Sequence, residues 1–251
     1  YDLFLGYHLE YDDSGILENV LKSEFRKSNG AVTTPEHIVH NTIDSTVPSE
    51  YLQSLTNQQI LDLKFLDPAC GSGVFLVSIY DHLATQIESN IEERKDVLPH
   101  RYLYEKDGKK YLNLEGRKLI VNQCLHGVDI NQECVEVAKL SLSLKIIDGF
   151  EPIDFNNAGL YGSQILHGVG VNIKCGNSLV EPDILERFSC ISENLEELAA
   201  TNVFDYKTAF CDIFSRGGFD YVIGNPPYVE VKNYNVALPC MSAYIKQRYG
   251  S

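Results

Sequence analysis

The apolar positions of the first sixty residues, Leu9, Ile16, Leu17, Val20, Leu21 and Phe25 among them, recur at intervals near one helical turn. That spacing predicts helical structure over residues 1–60, with Asp13-Ser14-Gly15 placed to open one helix. A turn signal at Ser28-Asn29-Gly30 then leads to Thr33-Thr34-Pro35, where Thr34 is a good N-cap, Pro35 suits the first helical position and His37 follows. Beyond residue 61 the pattern changes to short apolar runs that end in polar turns. Leu63 to Leu66 is the first, followed by the glycine-rich turn Asp67-Pro68-Ala69-Cys70-Gly71-Ser72-Gly73 and a helix-like stretch from Val74 to Ile79. Leu125 to Asp129 is the second; Cys134, Val135, Val137, Ala138, Leu140, Leu142 and Leu144 then supply the apolar positions of a long helix. Asn172 to Cys175 is a third, ending in Gly176-Asn177-Ser178, and Phe219 to Ile223 is a fourth, set off by Gly217-Gly218 and ending in Gly224-Asn225-Pro226-Pro227-Tyr228. Strands alternating with helices in this way predict a doubly wound α/β sheet.

Two stretches depart from that rhythm. Residues 88–118 are a charged insertion, with Glu92 to Asp96 expected as a solvated helix end and Lys106-Asp107-Gly108-Lys109-Lys110 as a hairpin-like tip. Residues 183–200 are helix-like, and Glu193, Glu196 and Glu197 are assigned to a solvated face. The tail from Tyr244 to Ser251 carries no terminating signal.

Composition narrows the class. At 251 residues and 44% hydrophobic content the chain suits one substantial α/β domain with a small appendage. It does not begin with Met and is expected to start inside a longer protein. No apolar run approaches the roughly 18 to 20 residues of a membrane span, and the N-terminus lacks signal-peptide regions, so no membrane partner is expected. Seven scattered cysteines without a C-x-x-C pair argue against a disulfide framework or a structural metal and predict reduced thiols in a cytoplasm. A formal net charge of −14 disfavours a stand-alone nucleic-acid binder, since a phosphate backbone rewards cationic surface.

The chemistry lies at the ends of the four apolar runs. Glycines 71 and 73 let backbone approach a ligand closely, though a tight turn would use them too. A carboxylate at the end of a second strand, Asp129, is placed to accept from both hydroxyls of a ribose, or to cap the helix behind it. Asn177 is a candidate for an adenine edge, or for a plain Asx-turn. Pro226 and Pro227 have fixed φ and no N–H, so the Asn225 amide and the Pro226 carbonyl are stiffly held acceptors, with the ring of Tyr228 beside them. On one sheet rim these blocks make a nucleoside pocket next to a pocket for a planar amine.

The ordered set Asp67-Pro68-Ala69-Cys70-Gly71-Ser72-Gly73 and Asn225-Pro226-Pro227-Tyr228 resembles the S-adenosylmethionine-dependent N6-adenine DNA methyltransferases. Gly30 to Pro35, Cys175 to Leu179 and Gly217 to Asp220 resemble the methylase part of type IIG restriction-modification enzymes and their type I and phage-defence relatives. The resemblance implies a Rossmann-like methyltransferase sheet, a preface over 1–60 that includes the Thr-Thr-Pro block, and a partial catalytic core over 61–251 interrupted at 88–118. It implies S-adenosylmethionine as cofactor: Asp67, Pro68, Ala69, Gly71 and Gly73 around its methionine part, Thr33, Thr34 and Pro35 closing over the same end, Asp129 and Ile130 at the ribose, Asn177 and Ser178 at the adenine, and Asn225 bordering the cofactor.

The implied catalytic residues are Asn225, Pro226, Pro227 and Tyr228. The lone pair of an adenine amine is drawn into the ring; acceptors at Asn225 and Pro226 would take its two N–H groups and localise the pair on nitrogen. Transfer is then direct, so Cys70 need not be a nucleophile. The base must leave the duplex, and Tyr228 would stack on it. Double-stranded DNA is the implied partner, held by a target-recognition segment outside these residues, with a fused nuclease or separate restriction and specificity subunits. The Asn-Pro-Pro-Tyr block is also similar to that of protein glutamine and RNA amine methyltransferases, and a non-catalytic cofactor-binding scaffold is a reading of another class.

Overall fold

Four parallel strands organise the computed structural model, which describes residues 7–11, 17–21, 34–94, 96–150, 167–227, 235 and 238–250. In chain order the strands are β1 (Tyr7–Tyr11), β2 (Leu17–Leu21), β3 (Phe65–Asp67), β4 (Leu103–Lys106), β5 (Lys109–Leu112), β6 (Leu125–Asp129), β7 (Ile173–Cys175) and β8 (Tyr221–Val222). The helices are α1 (Glu36–Thr46), α2 (Ser49–Ser54), α3 (Asn57–Asp62), α4 (Val74–Arg94), α5 (Leu114–Cys124), α6 (Gln132–Ile147), α7 (Ile184–Arg187), α8 (Ser189–Glu193), α9 (Leu195–Thr201), α10 (Tyr206–Ala209), α11 (Cys211–Phe214) and α12 (Pro239–Tyr249).

The central sheet runs β7-β6-β3-β8. Successive side chains of a strand point to opposite faces, and both faces here are covered. Phe65 packs into a large core with Leu76, Ile79, Ile120 and Leu142 from α4, α5 and α6. Its neighbour Leu66 packs, with Val128, against Phe204, Phe210 and Ile213 on the other side. The first two crossovers therefore lie on one face and the last, from β7 to β8, on the other, as right-handed connections require when the strand order turns back. The doubly wound sheet expected from the apolar runs is the sheet observed. Val39, Ile43, Ile60 and Leu61 of α1 and α3 join the same core as Phe65. Among the described residues no helix is long and apolar enough to cross a membrane.

The 88–118 insertion divides as its pattern suggests. Helix α4 runs to Arg94, and β4 and β5 form an antiparallel hairpin whose tip residues Asp107 and Gly108 have φ of 53° and 75°.

Several expectations are corrected. Residues 7–11 and 17–21 are not helical: β1 and β2 pair antiparallel, Tyr7 opposite Leu21 and Tyr11 opposite Leu17. The alternation Tyr7-His8-Leu9-Glu10-Tyr11 has strand period, but over five residues it competes with the longer helix-like spacing, and the partner strand decides. Asp13-Ser14-Gly15 lie outside the described residues. Helix α1 starts at Glu36 with Pro35 in the cap position and no side-chain cap, so Thr34 is not the N-cap. The fourth apolar run is a strand only at Tyr221 and Val222, with the Asp220 and Ile223 amides on either side donating to the Lys64 and Leu66 carbonyls. Residues 183–200 are helical as expected, in three short helices with Glu193 and Glu196 exposed, but Glu197 is buried, not solvated. Residues 244–249 continue α12, which ends at Tyr249. In addition, Cys190 and Cys240 form a disulfide with Cα atoms 6.3 Å apart, where reduced thiols were expected. Fifty residues separate the pair in sequence, and only the packing of α8 against α12 brings them together. The other five cysteines are outside disulfides.

Candidate active site

Strand order reverses between β3 and β8, and in an open α/β sheet the crevice beyond the carboxyl ends of such a pair is where ligands bind. Asp67 ends β3. The Ile223 amide, just past β8, donates to the Leu66 carbonyl at 2.9 Å, so the two chains stay paired to the edge of the crevice. Gly224 then crosses directly over Asp67: a Cβ there would overlap Asp67 Oδ1 and come within 3.1 Å of its Cγ and 3.4 Å of Pro68 Cδ. Absence of a side chain at 224 thus lets the Gly224 backbone lie against Asp67 and Pro68. Sequence reasoning did not single Gly224 out, although a glycine between an apolar run and Asn-Pro-Pro is a visible signal.

Asp67 is an unusual acid. It is 1% exposed, and its one hydrogen-bond donor among the described residues is the Ala69 amide at 3.0 Å. Burial pushes its carboxyl up to about 7, the Ala69 amide opposes that rise and the Asp129 charge adds to it. No cation among the described residues offsets the charge. Cys70, beside it, is driven far above the usual thiol range by its own burial and is protonated at neutral pH.

The loop that follows is braced from two sides. Gly71 and Gly73 have φ of 53° and 87°, a region that L side chains rarely adopt. The Gly71 amide donates to Asp129 Oδ2 at 2.8 Å, and the Cys70 amide to the Val128 carbonyl at 3.0 Å. Ser141 of α6 donates to the Ser72 carbonyl at 3.0 Å. Asp129 is not the cap of α6, a role taken by Asn131, whose side chain accepts from the Glu133 amide. Its Oδ1 accepts from the Asn131 amide at 2.9 Å, and the half-exposed carboxylate keeps lone pairs free for further donors. Ile130 beside it is 47% exposed.

Asn177 is buried, and its Oδ1 accepts from the Leu179 amide at 3.0 Å, so the Asx-turn is present. Its Nδ2 faces Met241 Sδ at 3.5 Å. Ser178 Oγ donates to the Pro68 carbonyl and is hydrogen-bonded by Tyr206, whose phenol is raised by burial and lies near Asp67 and Cys70. Tyr206 and Met241 are neighbours of the rim that no local motif announces.

On the amine side, Asn225, Pro226 and Pro227 are exposed. Asn225 Nδ2 donates to Thr34 Oγ1 at 3.1 Å, which brings Thr34 to this rim. Among the described residues no backbone amide donates to the Pro226 carbonyl. Thr33 and Tyr228 lie outside the described residues.

With this rim in place, the N-6 DNA Methylase family model matches residues 14–159 and the Eco57I restriction-modification methylase model matches residues 123–251. The chain belongs to the N-6 DNA methylases. A type II restriction enzyme and methyltransferase of Escherichia coli is 27% identical over 256 residues, covering 100% of this chain and 23% of that protein. A putative type II restriction enzyme and methyltransferase of Methanocaldococcus jannaschii is 29% identical over 82% of this chain and 18% of its own length. The adenine-specific methyltransferase PglX of Streptomyces coelicolor is 24% identical over 87% of this chain and 16% of its own length. The chain thus spans less than a quarter of each of these relatives. The two family matches meet over residues 123–159, so together they run across both the Asp67 loop and Asn225. Among N-6 DNA methylases, then, this chain holds the two blocks that form the rim at the β3–β8 reversal.

Proposed function

We propose that the whole protein transfers a methyl group from S-adenosylmethionine to the N6 amine of an adenine flipped out of DNA, within a restriction-modification or phage-defence system. The observation that supports this reading is the crossing of Gly224 over Asp67 at the strand-order reversal, one residue before the Asn225-Pro226 pair. The donor set suits the cofactor. A buried carboxylate at Asp67 without a cation fits a positively charged ligand, and the half-exposed Asp129 fits a pair of hydroxyls. When bound, S-adenosylmethionine supplies an electrophilic methyl group on a positively charged sulfur. Asp67, Gly71 and Gly73 would hold its methionine end, with Thr33, Thr34 and Pro35 across it. Asp129 and Ile130 would hold the ribose, and Asn177 and Ser178 the adenine end.

The chain's own part in the chemistry is to accept hydrogen bonds. Asn225 Oδ1 and the Pro226 carbonyl would take the two N–H groups of the target amine, localise its lone pair and leave it aimed at the loop. Tyr228 would stack on the flipped base, an interaction worth about 1–3 kcal/mol. Double-stranded DNA would be gripped by a target-recognition segment beyond these residues, which is compatible with the net charge of −14 found here. A fused nuclease or separate restriction and specificity subunits would complete the system, in a prokaryotic cytoplasm.

In the full-length protein, Asn225→Ala is expected to abolish adenine methylation, read by modification-dependent sequencing, while S-adenosylmethionine affinity by calorimetry stays within about twofold. Retained adenine methylation would overturn the reading.

A further inference from the structure

We propose that Asn202 is a positioning residue for the nucleoside half of the cofactor: it ties the Asp129-Ile130 segment to the Asn177-Ser178 segment and fixes the distance between them. This rests on the methyltransferase reading above, in which the first segment holds the ribose and the second the adenine. It adds a residue that belongs to neither.

The two segments leave neighbouring strands. Strands β6 and β7 are in register as far as Asp129 opposite Cys175, and the Gly176 amide donates to the Asp129 carbonyl at 2.8 Å. One residue further along each chain, Ile130 and Asn177 are joined through Asn202, which follows α9. Its carbonyl accepts from the Asn177 amide at 2.7 Å, and its Nδ2 donates to the Ile130 carbonyl at 3.1 Å. The partner decides which end of the amide is used, because a carbonyl oxygen only accepts and the NH2 end must therefore face it. The same Nδ2 lies 3.3 Å from Cys175 Sγ, and that thiol donates to the Ile130 carbonyl at 3.5 Å. Ile130 is 47% exposed, too much for packing of its side chain to hold its peptide in place.

The residue type at 202 meets two demands at once. Its φ of 48° and ψ of 57° lie in the left-handed region, which glycine, asparagine and aspartate enter most readily. Glycine would satisfy the backbone and supply no donor; aspartate would satisfy the backbone and turn an oxygen on the Ile130 carbonyl. Asparagine alone of the three does both. The segment behind it is firmly mounted: Val203 bridges to Asn177 in parallel, the Phe204 amide donates to the Val180 carbonyl at 2.9 Å, and the Phe204 ring occupies the space that a Cβ at Gly176 would need.

The test uses the full-length protein. Asn202→Gly keeps the turn and the main-chain bond and removes only the side chain; Asn202→Asp keeps the shape and replaces the donor by an acceptor. In both, the dissociation constant of S-adenosylmethionine by calorimetry is expected to rise on the order of tenfold, the equivalent of one lost hydrogen bond, and KM with it. The loss is expected in KM and not in kcat at saturating cofactor. Adenosine, which carries only the nucleoside half, is expected to lose affinity by the same factor. A purely structural part for Asn202 would lower Tm and leave the affinity of the folded protein for both ligands unchanged. Either variant serves alone if the other does not fold. An affinity within twofold of the parent in a folded variant, an equal fall in kcat, a loss for S-adenosylmethionine without one for adenosine, or failure of both variants to fold would each overturn the proposal. The parent separates the two ideas: if it does not bind S-adenosylmethionine, the methyltransferase reading falls and this proposal with it, whereas a parent that binds beside variants that bind as tightly counts against Asn202 alone.

Discussion

Asp67 is a carboxyl held in the protein interior with one backbone amide for a donor among the described residues. Its carboxyl is raised from the ordinary carboxylate value of 3.8 to about 7 by burial, so the folded chain holds a proton that the unfolded chain releases. The sign follows from linkage: where the native state binds more protons, stability falls as pH rises. This group's contribution is therefore most favourable below pH 4 and is lost between about pH 4 and pH 7. The charges and titratable groups around it are Asp129, Cys70 and Tyr206, and none is a cation. Asp67→Asn is expected to flatten the pH dependence of unfolding between pH 4 and 7, measured by denaturant melts at several pH values; an unchanged slope would show that Asp67 is not the responsible group. Under the proposed function, a cationic ligand beside Asp67 favours its ionised form, so S-adenosylmethionine affinity should rise with pH over the same window. The position of this acid was legible, since it ends an apolar run before a glycine turn. Its burial was not, because that depends on Gly224, 157 residues later, passing over it.

At the scale of elements, α12 shows how a helix outside the sheet can shape the rim. Its first amides would lack intrahelical acceptors. Glu197 of α9 supplies one: Oε1 accepts from the Cys240 and Met241 amides at 2.7 and 3.0 Å, while the buried Oε2 has no partner among the described residues. Further along, Arg248 meets Glu181 at 2.7 Å and Asp183 at 3.1 Å, and Tyr249 donates to the Leu179 carbonyl at 3.2 Å. Helix α12 so holds the 177–184 segment, with Met241 against Asn177. Glu197→Ala would strand two buried amides and is expected to lower stability by about 1–3 kcal/mol in urea melts, whereas Glu197→Gln, which keeps an acceptor, should cost less. Equal losses for the two would rule out the cap. A run of glutamates spaced like a helix face reads as solvated, and only the docking of α12 turns Glu197 inward. The β1–β2 hairpin has the same lesson at the other end of the chain, since short strands acquire their identity from a partner.

For the molecule as a whole, the consequence of the reading is a ligand that binds the folded chain and not the unfolded one. Under the proposed function, S-adenosylmethionine at 100 times its dissociation constant should stabilise the full-length protein by about 2.7 kcal/mol, seen as a ligand-dependent rise in Tm. Asp129→Ala should reduce that rise, and no rise in the parent protein would count against the cofactor site. Much of this architecture was open to inspection in the linear chain. Each strand of the central sheet ends where apolar residues give way to glycine, acid or Asn-Pro-Pro, and such switches are local, written in neighbouring side chains and in backbone freedom. The sequence by itself therefore determined the order of the blocks, the doubly wound class and the chemical type of each rim residue. Only the tertiary structure decided which groups meet: Gly224 over Asp67, Thr34 on Asn225, Glu197 beneath α12 and Cys190 beside Cys240. Those pairings join positions from 43 to 191 residues apart. They are settled by how helices pack on the two faces of the sheet, which no window of sequence contains.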